Sequence, residues 1–526
     1  VGFLISTNRC LNVASAFTNP ISFLGANNKL INHNPSKERH PTDTTKQVHT
    51  TYKRRTPFTI QPTLLYASTE EEETSSETVA ELKKQILDLI GNNTDNPNDE
   101  DVKKNLTLLL ESLIQESGGS KKGNEVLYQI GQSVYNIHLK EEEKKEEEKE
   151  EESNDPIVSF DYLKTFMIDV FETYGVPTDR AETCAEVLVE ADRRGIKSHG
   201  LGRLKPIYCD RMDAGILLPS MPIDVVSETE TTALLDGNLG IGLYVAPYAM
   251  QMAIDKAKKY GVGFVAVKNS THYGIAGYYA TMATDNGCVG LSGTNARPSI
   301  APTYGVEPML GTNPLCFGIP SDDDFPFVID CATSINQRGK IERYAREGLD
   351  TPRGAVIDND GIQRTDTEGI LRDLVLGKAA LTPLGGADPE LGGYKGYGWA
   401  TVVELLSIAF QSGVFGEGIS GVDRETGEKR PMPLGHYFLA IDIEALTPLD
   451  TFKKNTGEFL RALRGSKKSP LGPGRIWTAG EMEYDEFVKQ TDQGGMFVPP
   501  SLQSVMKDLR DQRPGLKEKY GKLPFE

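Results

Sequence analysis

The sequence predicts an α/β fold for residues 156–520, preceded by a polar N-terminal region, and three observations carry that expectation. First, Thr232 to Asp236 reads as a strand, Gly237-x-x-Gly240-x-Gly242 as a turn, Tyr244 to Lys259 as a helix and Gly263 to Val267 as a second strand. That order is a β–turn–α–β unit. Second, polar clusters stand where strands end: Asn269-Ser270-Thr271-His272-Tyr273-Gly274 after that second strand, and Asp330-Cys331-Ala332-Thr333-Ser334 after the apolar run Phe325 to Ile329. Open α/β sheets place their sites at such ends. Third, a helical pair precedes the unit. Phe160 to Tyr174 is stopped by Gly175, and Pro177-Thr178 opens a helix with Cys184, Ala185, Leu188 and Ala191 on one face and Gly195 at its end.

The N-terminal 155 residues have a different composition. Residues 1–67 are rich in Ser, Thr, Asn, Lys and Arg, with only Glu38 and Asp43 acidic before Glu70. That is the composition of a presequence. Ala14-Ser15-Ala16-Phe17 resembles the cleavage motif of plastid presequences in diatoms and related algae, so a plastid address is expected, with mitochondrion or cytoplasm as alternatives. The chain does not begin with Met, which suits a fragment or a processed form. Residues 68–155 form an acidic extension. Thr78-x-x-Glu81 is a capping box ahead of Leu82, Ile86 and Leu89, and Leu108 to Ile114 and Val126 to Ile137 have helical spacing. Glu141 to Glu152, with nine Glu and three Lys, reads as a solvated linker.

Composition excludes several functions. The net charge of −18 argues against a nucleic-acid partner, which needs clustered Lys and Arg. No run of about 18 apolar residues predicts a membrane span. Six scattered cysteines without Cys-x-x-Cys fit buried thiols in a reducing compartment. The globular part has three histidines, His199, His272 and His436, with no close ligand spacing, so no metal site is expected. His436 falls in the alternating strand Gly435 to Asp442 and reads as structural.

Candidate chemistry centres on Lys197-Ser198-His199-Gly200-Leu201-Gly202-Arg203 at the end of the helical pair. An arginine holds a carboxylate through two parallel hydrogen bonds, and a histidine titrates near neutral pH as an acid–base group. The Gly237–Gly242 turn is a decoy for dinucleotide binding. Its glycine order is inverted, and the following strand ends in Lys268-Asn269 where an acidic residue would hold a ribose. Two other helix starts offer anion sites: the turn before a helix at about Asn336, and Gly393-Tyr394-Lys395-Gly396-Tyr397-Gly398 leading into Trp399 to Gln411. Residues 349–380, rich in Asp and Gly, read as a surface excursion.

Taken in order, these motifs resemble the malate/L-lactate dehydrogenase family, which includes sulfolactate and ureidoglycolate dehydrogenases and cyclic-ketimine reductases. The matching elements are Ala191-Asp192-x-x-Gly195-Ile196-x-Ser198-His199-Gly200, Asn269-x-x-His272-Tyr273-Gly274, Gly311-Thr312-Asn313-Pro314, Asp330-x-Ala332-Thr333-Ser334 with Gly339-Lys340, Pro383-Leu384-Gly385-Gly386 and Gly393 to Gly398. The resemblance implies a three-layer α/β/α fold with a nicotinamide-binding topology distinct from the Rossmann fold, in a homodimer, with cofactor binding at about 260–435. It implies hydride transfer between NAD or NADP and a 2-hydroxy acid, malate or lactate first. The alternatives are an NADPH-dependent reductase of another 2-keto acid or a cyclic ketimine, and a non-catalytic relative that docks a partner. It places Ser198 and Arg203 on the substrate and makes His199 and His272 both candidates for the acid–base group. It sets the cofactor against Asp330, Ala332, Thr333, Ser334, Lys395, Gly396, Gly480 and Glu481, the last pair departing from the family's Pro-Gly-Glu pattern.

Overall fold

The computed structural model describes residues 156–423, 426–469 and 472–526. Before them it describes only Glu81, Leu82, Lys84, Gln85, Ile86, Leu108, Leu109 and Ser112, all helical. The expected presequence, most of the helical extension and the charged linker lie outside the described residues.

Strand β1 (Ile157–Val158) leads into α1 (Phe160–Glu172). The Ser159 side chain caps this helix by accepting the Tyr162 N–H, and Leu163, Phe166, Met167, Val170 and Phe171 form its buried stripe at helical spacing. Helix α2 (Thr178–Arg193) packs on it and stops before Gly195, whose φ of +72° a side chain rarely adopts. The chain then runs through a π-helical turn, Leu204–Cys209. Strands β2 (Asp224–Glu228) and β3 (Thr232–Asp236) form a hairpin, followed by α3 (Gly242–Tyr260), β4 (Val262–Ser270), α4 (Ala276–Asp285) and β5 (Cys288–Thr294). Strands β6 (Leu315–Ile319) and β7 (Phe327–Cys331) precede α5 (Arg338–Glu347), β8 (Val356–Asp358), α6 (Thr367–Val375) and β9 (Ala379–Leu381). Helix α7 (Gly393–Ile408), β10 (Leu434–Asp442), α8 (Leu449–Arg464), α9 (Glu481–Gln493), β11 (Met496–Phe497), α10 (Pro500–Gln512) and a short α11 (Leu516–Tyr520) complete the chain, with β11 pairing β1.

The main sheet has seven strands in the order β2-β3-β4-β10-β5-β6-β7. Only β3 and β4 are parallel, the signature of the β–turn–α–β unit, and β10 inserts antiparallel between β4 and β5. Helices α3 and α4 cover one face through Val245, Ala249, Ala253, Tyr279 and Ala283, which meet Val265, Val267 and Phe438. Helix α7 packs against β10, β5 and β4 and forms the third layer.

The turn glycines of the decoy are structural. A Cβ on Gly242 would lie 2.3 Å from the Thr271 carbonyl oxygen, so the chain crosses there too closely for any side chain. Two expectations are corrected. Residues 349–380 are not a surface excursion: Ala355, Val356, Ile370, Ala379 and Leu381 are buried with Ile300, Ile341 and Ala400 in a core of their own. The Gly393–Gly398 stretch is already helical, where a loop before Trp399 was expected.

Candidate active site

Buried Asp192, near the end of α2, sets the position of the Ser198–Arg203 loop. Its carboxylate accepts the Leu201 N–H at 2.7 Å, and a Cβ on Gly200 would fall 1.9 Å from it. Burial pushes this carboxyl up to about 7. His199 and His272 meet across the gap between the loop and the end of β4, their rings stacked at 5.6 Å and 18°. Both line a cavity of about 260 Å³ together with Ser198, Thr294, Asn295 and Gln337. Protein packed around the rings, then the Arg203 guanidinium, pushes His199 down to about 4. His272 is pushed well down by the same burial and by His199, Arg211 and Arg203. Both imidazoles are therefore neutral at pH 7.

The two rings are held by different partners. Ser198 Oγ lies 2.8 Å from His199 Nδ1, and a hydroxyl donates or accepts, so His199 keeps either tautomer. His272 Nδ1 faces the Gly274 N–H at 3.3 Å and the Tyr208 hydroxyl at 2.8 Å. An N–H only donates, so Nδ1 accepts and the His272 proton sits on Nε2. Tyr208 is wholly buried and held far above the ordinary phenol range, which keeps it a neutral donor. Arg203 Nε donates to the Ser198 carbonyl at 2.5 Å, leaving its other nitrogens for a ligand. Arg211 and Arg297 repel one another, and Arg211 and Arg203 both act on His272. None of these three arginines forms an ion pair among the described residues, so the surroundings suit an anionic substrate.

The remaining predicted positions divide. Asp330 and Ala332 line the histidine cavity. The Asp330 carboxylate accepts the Gly277 N–H at 2.6 Å at the start of α4, and low-dielectric surroundings push it up to about 6. Thr333 and Ser334 are buried, and their hydroxyls are spent on the backbone, Thr333 on the Thr312 and Asn313 carbonyls and Ser334 on that of Asn336. Lys395 and Gly396 line a separate recess with Leu384, Leu391 and Trp399. Gly480 lines a second cavity of about 310 Å³, whose shared wall with the first is Ile196, Ile275, Asp330 and Glu483. Glu481 turns away, accepting from the Thr478 N–H at 2.9 Å. His436 is buried in β10, stacked on Tyr273 at 4.6 Å.

Sequence reasoning missed Tyr208, Asp192, Arg211, Gln337 and Glu483. Asp192 had a signal, since an acidic residue on the apolar face of α2 demands a partner. It also missed the buried pairing of Glu404 with Asn313 (2.8 Å) and Asn295 (3.2 Å), which ties α7 to the loops of the cavity.

These residues fit a nicotinamide cofactor. The cavity at the histidines and the cavity lined by Gly480 lie side by side, with Ile196, Ile275, Asp330 and Glu483 lining both, and a Cβ on Gly480 would meet the Pro326 carbonyl oxygen at 2.9 Å. The groups in and around the histidine cavity are those of a hydroxyacid dehydrogenase: a neutral base and a fixed donor in the cavity wall, with Arg203 and Arg211 outside the wall acting on the histidines. The sequence profile of the malate/L-lactate dehydrogenase family matches residues 158–507. The chain belongs to that family, and it is a 2-hydroxyacid dehydrogenase that uses a nicotinamide cofactor. It is similar to malate dehydrogenase of Pyrococcus horikoshii, 41% identical over 324 residues that cover 62% of this chain and 86% of that one. L-sulfolactate dehydrogenase of Methanocaldococcus jannaschii is 34% identical over 346 residues, 66% of this chain and 94% of that one. The crystal structure of malate dehydrogenase from Entamoeba histolytica superposes with a TM-score of 0.66 at 41% identity, covering 71% of this chain and all of the other.

Proposed function

We propose that the protein interconverts malate and oxaloacetate, with His199 as the acid–base group and His272 as the donor that holds the reacting oxygen. The single observation that carries the division of roles is the Gly274 N–H on His272 Nδ1, which fixes the proton on Nε2 and leaves His199 as the ring free to accept one. The nicotinamide supplies the two-electron acceptor for the hydrogen at C2. His199 Nε2 takes the hydroxyl proton, and Ser198 accepts from Nδ1–H of the imidazolium so formed. His272 Nε2–H donates to the same oxygen and polarises it as the carbonyl forms. Arg203 holds the C1 carboxylate so that C2 faces the cofactor. Malate is supported by the malate dehydrogenases at 41% identity and by the unpaired Arg211 and Arg297, which suit a substrate with a second carboxylate.

The test follows nicotinamide absorbance with the full chain, NADH and NADPH, against oxaloacetate, pyruvate, glyoxylate-type keto acids and a cyclic imine. Turnover of oxaloacetate above the others is expected; a preference for pyruvate or the imine sinks the malate reading.

A homodimer belongs to the same proposal. Trp399 and Leu405, 53% and 51% exposed, with Val402 beside them, give α7 an uncovered apolar face that a second copy would bury. Sedimentation at micromolar concentration tests it. The plastid address of residues 1–67 stands as a proposal from composition and is tested by the location of a fluorescent fusion.

A further inference from the structure

The second cavity follows one face of α4. Gly277, Thr281 and Asp285 line it at i, i+4 and i+8, so it extends about 12 Å along the helix at 1.5 Å per residue. Its near end, beside Gly277, is the wall of Ile196, Ile275, Asp330 and Glu483 shared with the histidine cavity. Midway lies Arg194, held by Glu190 at 2.8 Å and by the Thr281 hydroxyl at 3.2 Å. The far end holds Asp285, Asp324 and the aromatic pair Phe325 and Tyr484, stacked at 5.2 Å and 29°.

The far-end carboxylates differ from their neighbours. Asp322 and Asp323 are neutralised by Arg461, and Asp323 also by Arg464 at 2.5 Å. Asp324 and Asp285 form no hydrogen bond or ion pair among the described residues, and both are exposed toward the cavity. Arg194 and, from outside the cavity wall, Lys453 act on Asp285. The one cation in the wall is Arg194, and it sits mid-cavity.

We propose that this cavity holds the adenosine half of the cofactor and that Asp285 and Asp324 make the enzyme selective for NAD over NADP. The inference rests on the dehydrogenase reading and names which cofactor its site takes. A nicotinamide at the histidines would leave the pyrophosphate beside Arg194, the cation of the wall, the Gly277 N–H at the start of α4 being taken by Asp330. The adenine then reaches the aromatic pair, and its ribose reaches the two carboxylates. A carboxylate accepts from a ribose hydroxyl and repels a 2′-phosphate, the same chemistry by which other folds separate the two cofactors.

The experiment measures binding without substrate. The full chain is titrated with NADH and NADPH by nicotinamide fluorescence, with ADP-ribose and its 2′-phosphate as competitors that lack the nicotinamide. Wild type is expected to bind NADH at least about tenfold more tightly than NADPH, and the ADP-ribose pair to show the same order. In Asp285→Asn with Asp324→Asn the NADH/NADPH ratio should shrink about tenfold or more, chiefly through tighter NADPH binding. Equal or tighter NADPH binding by wild type overturns the proposal, and this needs no variant to fold. So does a double variant that binds NADH normally with an unchanged ratio. Binding of neither cofactor overturns the dehydrogenase reading itself.

Discussion

The segments that deliver the two histidines are built differently. His199 stands on a loop between the end of α2 and a 3-10 turn, held from below by one buried carboxylate and from the side by a hydroxyl. His272 stands two residues past the end of β4, pinned by a buried phenol and by an N–H of its own turn. The first arrangement leaves the proton free to change nitrogen; the second does not. Two histidines stacked face to face are thereby made chemically unequal without any carboxylate partner. A base needs a partner that adjusts to both of its charge states, whereas a polarising donor needs a partner that never changes.

The sharpest way to break this comparison is to delete each ring. His199→Ala should lower kcat about 10²- to 10⁴-fold, the range of lost acid–base catalysis, and His272→Ala about 10²-fold. The rates are read by nicotinamide absorbance, and a His199→Ala enzyme with near-wild-type kcat would remove His199 from the role. The pH profile sharpens the distinction further. His199 is pushed down to about 4, so kcat/KM for hydroxy-acid oxidation should stay level as pH falls and decline only well below 6.5, where the base becomes protonated. Arg203→Met removes a positive neighbour, so the histidine pKa rises and the acid limb moves toward 6.5, besides weakening substrate binding. An acid limb near 6.5 in the wild type would contradict this electrostatic picture. Tyr208→Phe leaves the Gly274 N–H in place and should cost about tenfold in kcat, the worth of one hydrogen bond of about 1.4 kcal/mol. A loss as large as that of His272→Ala would mean that the phenol holds the ring alone.

How much of this was legible from the sequence depended on how locally each function is encoded. Ser198, His199 and Arg203 fall within six residues, and two helix signals, the apolar stripe of α2 and Gly195, place them on a loop end. The β3–α3–β4 unit was legible because its turn glycines and strand periods agree. Tyr208 was not, because its approach to His272 depends on the π-helical turn over Leu204–Cys209, which no apolar spacing announces. Thr333 and Ser334 look like free hydroxyls in the sequence, yet each is consumed by a backbone carbonyl that only the fold brings near. The core under 349–380 was hidden because β8 and β9 have three residues each, too few to show a strand period, and bury only Val356, Ile357, Ala379, Ala380 and Leu381 in a stretch rich in Asp and Gly. Glu483 reaches both cavities from a helix far along the chain, a placement set by tertiary packing alone.

The smallest effect on activity is expected from Asp192→Asn, which tests whether the support under His199 is geometric or electrostatic. The amide oxygen can still accept the Leu201 N–H, so kcat should change by less than about tenfold. Stability should respond to pH instead. The Asp192 carboxyl is raised to about 7 in the fold from an ordinary value of 3.8, so between those values the native state binds more protons than the unfolded chain. Unfolding free energy therefore falls as pH rises from about 4 to about 7, and then levels off, at a slope of up to about 1.4 kcal/mol per pH unit from this group. Asp330, raised to about 6, adds a slope of the same sign over a narrower window. Urea unfolding at several pH values should show a shallower decline in the Asp192→Asn protein, with the Asp330 share remaining. An unchanged slope would mean that Asp192 ionises in the fold as it does in the unfolded chain, and the loop beneath His199 would then rest on a charge.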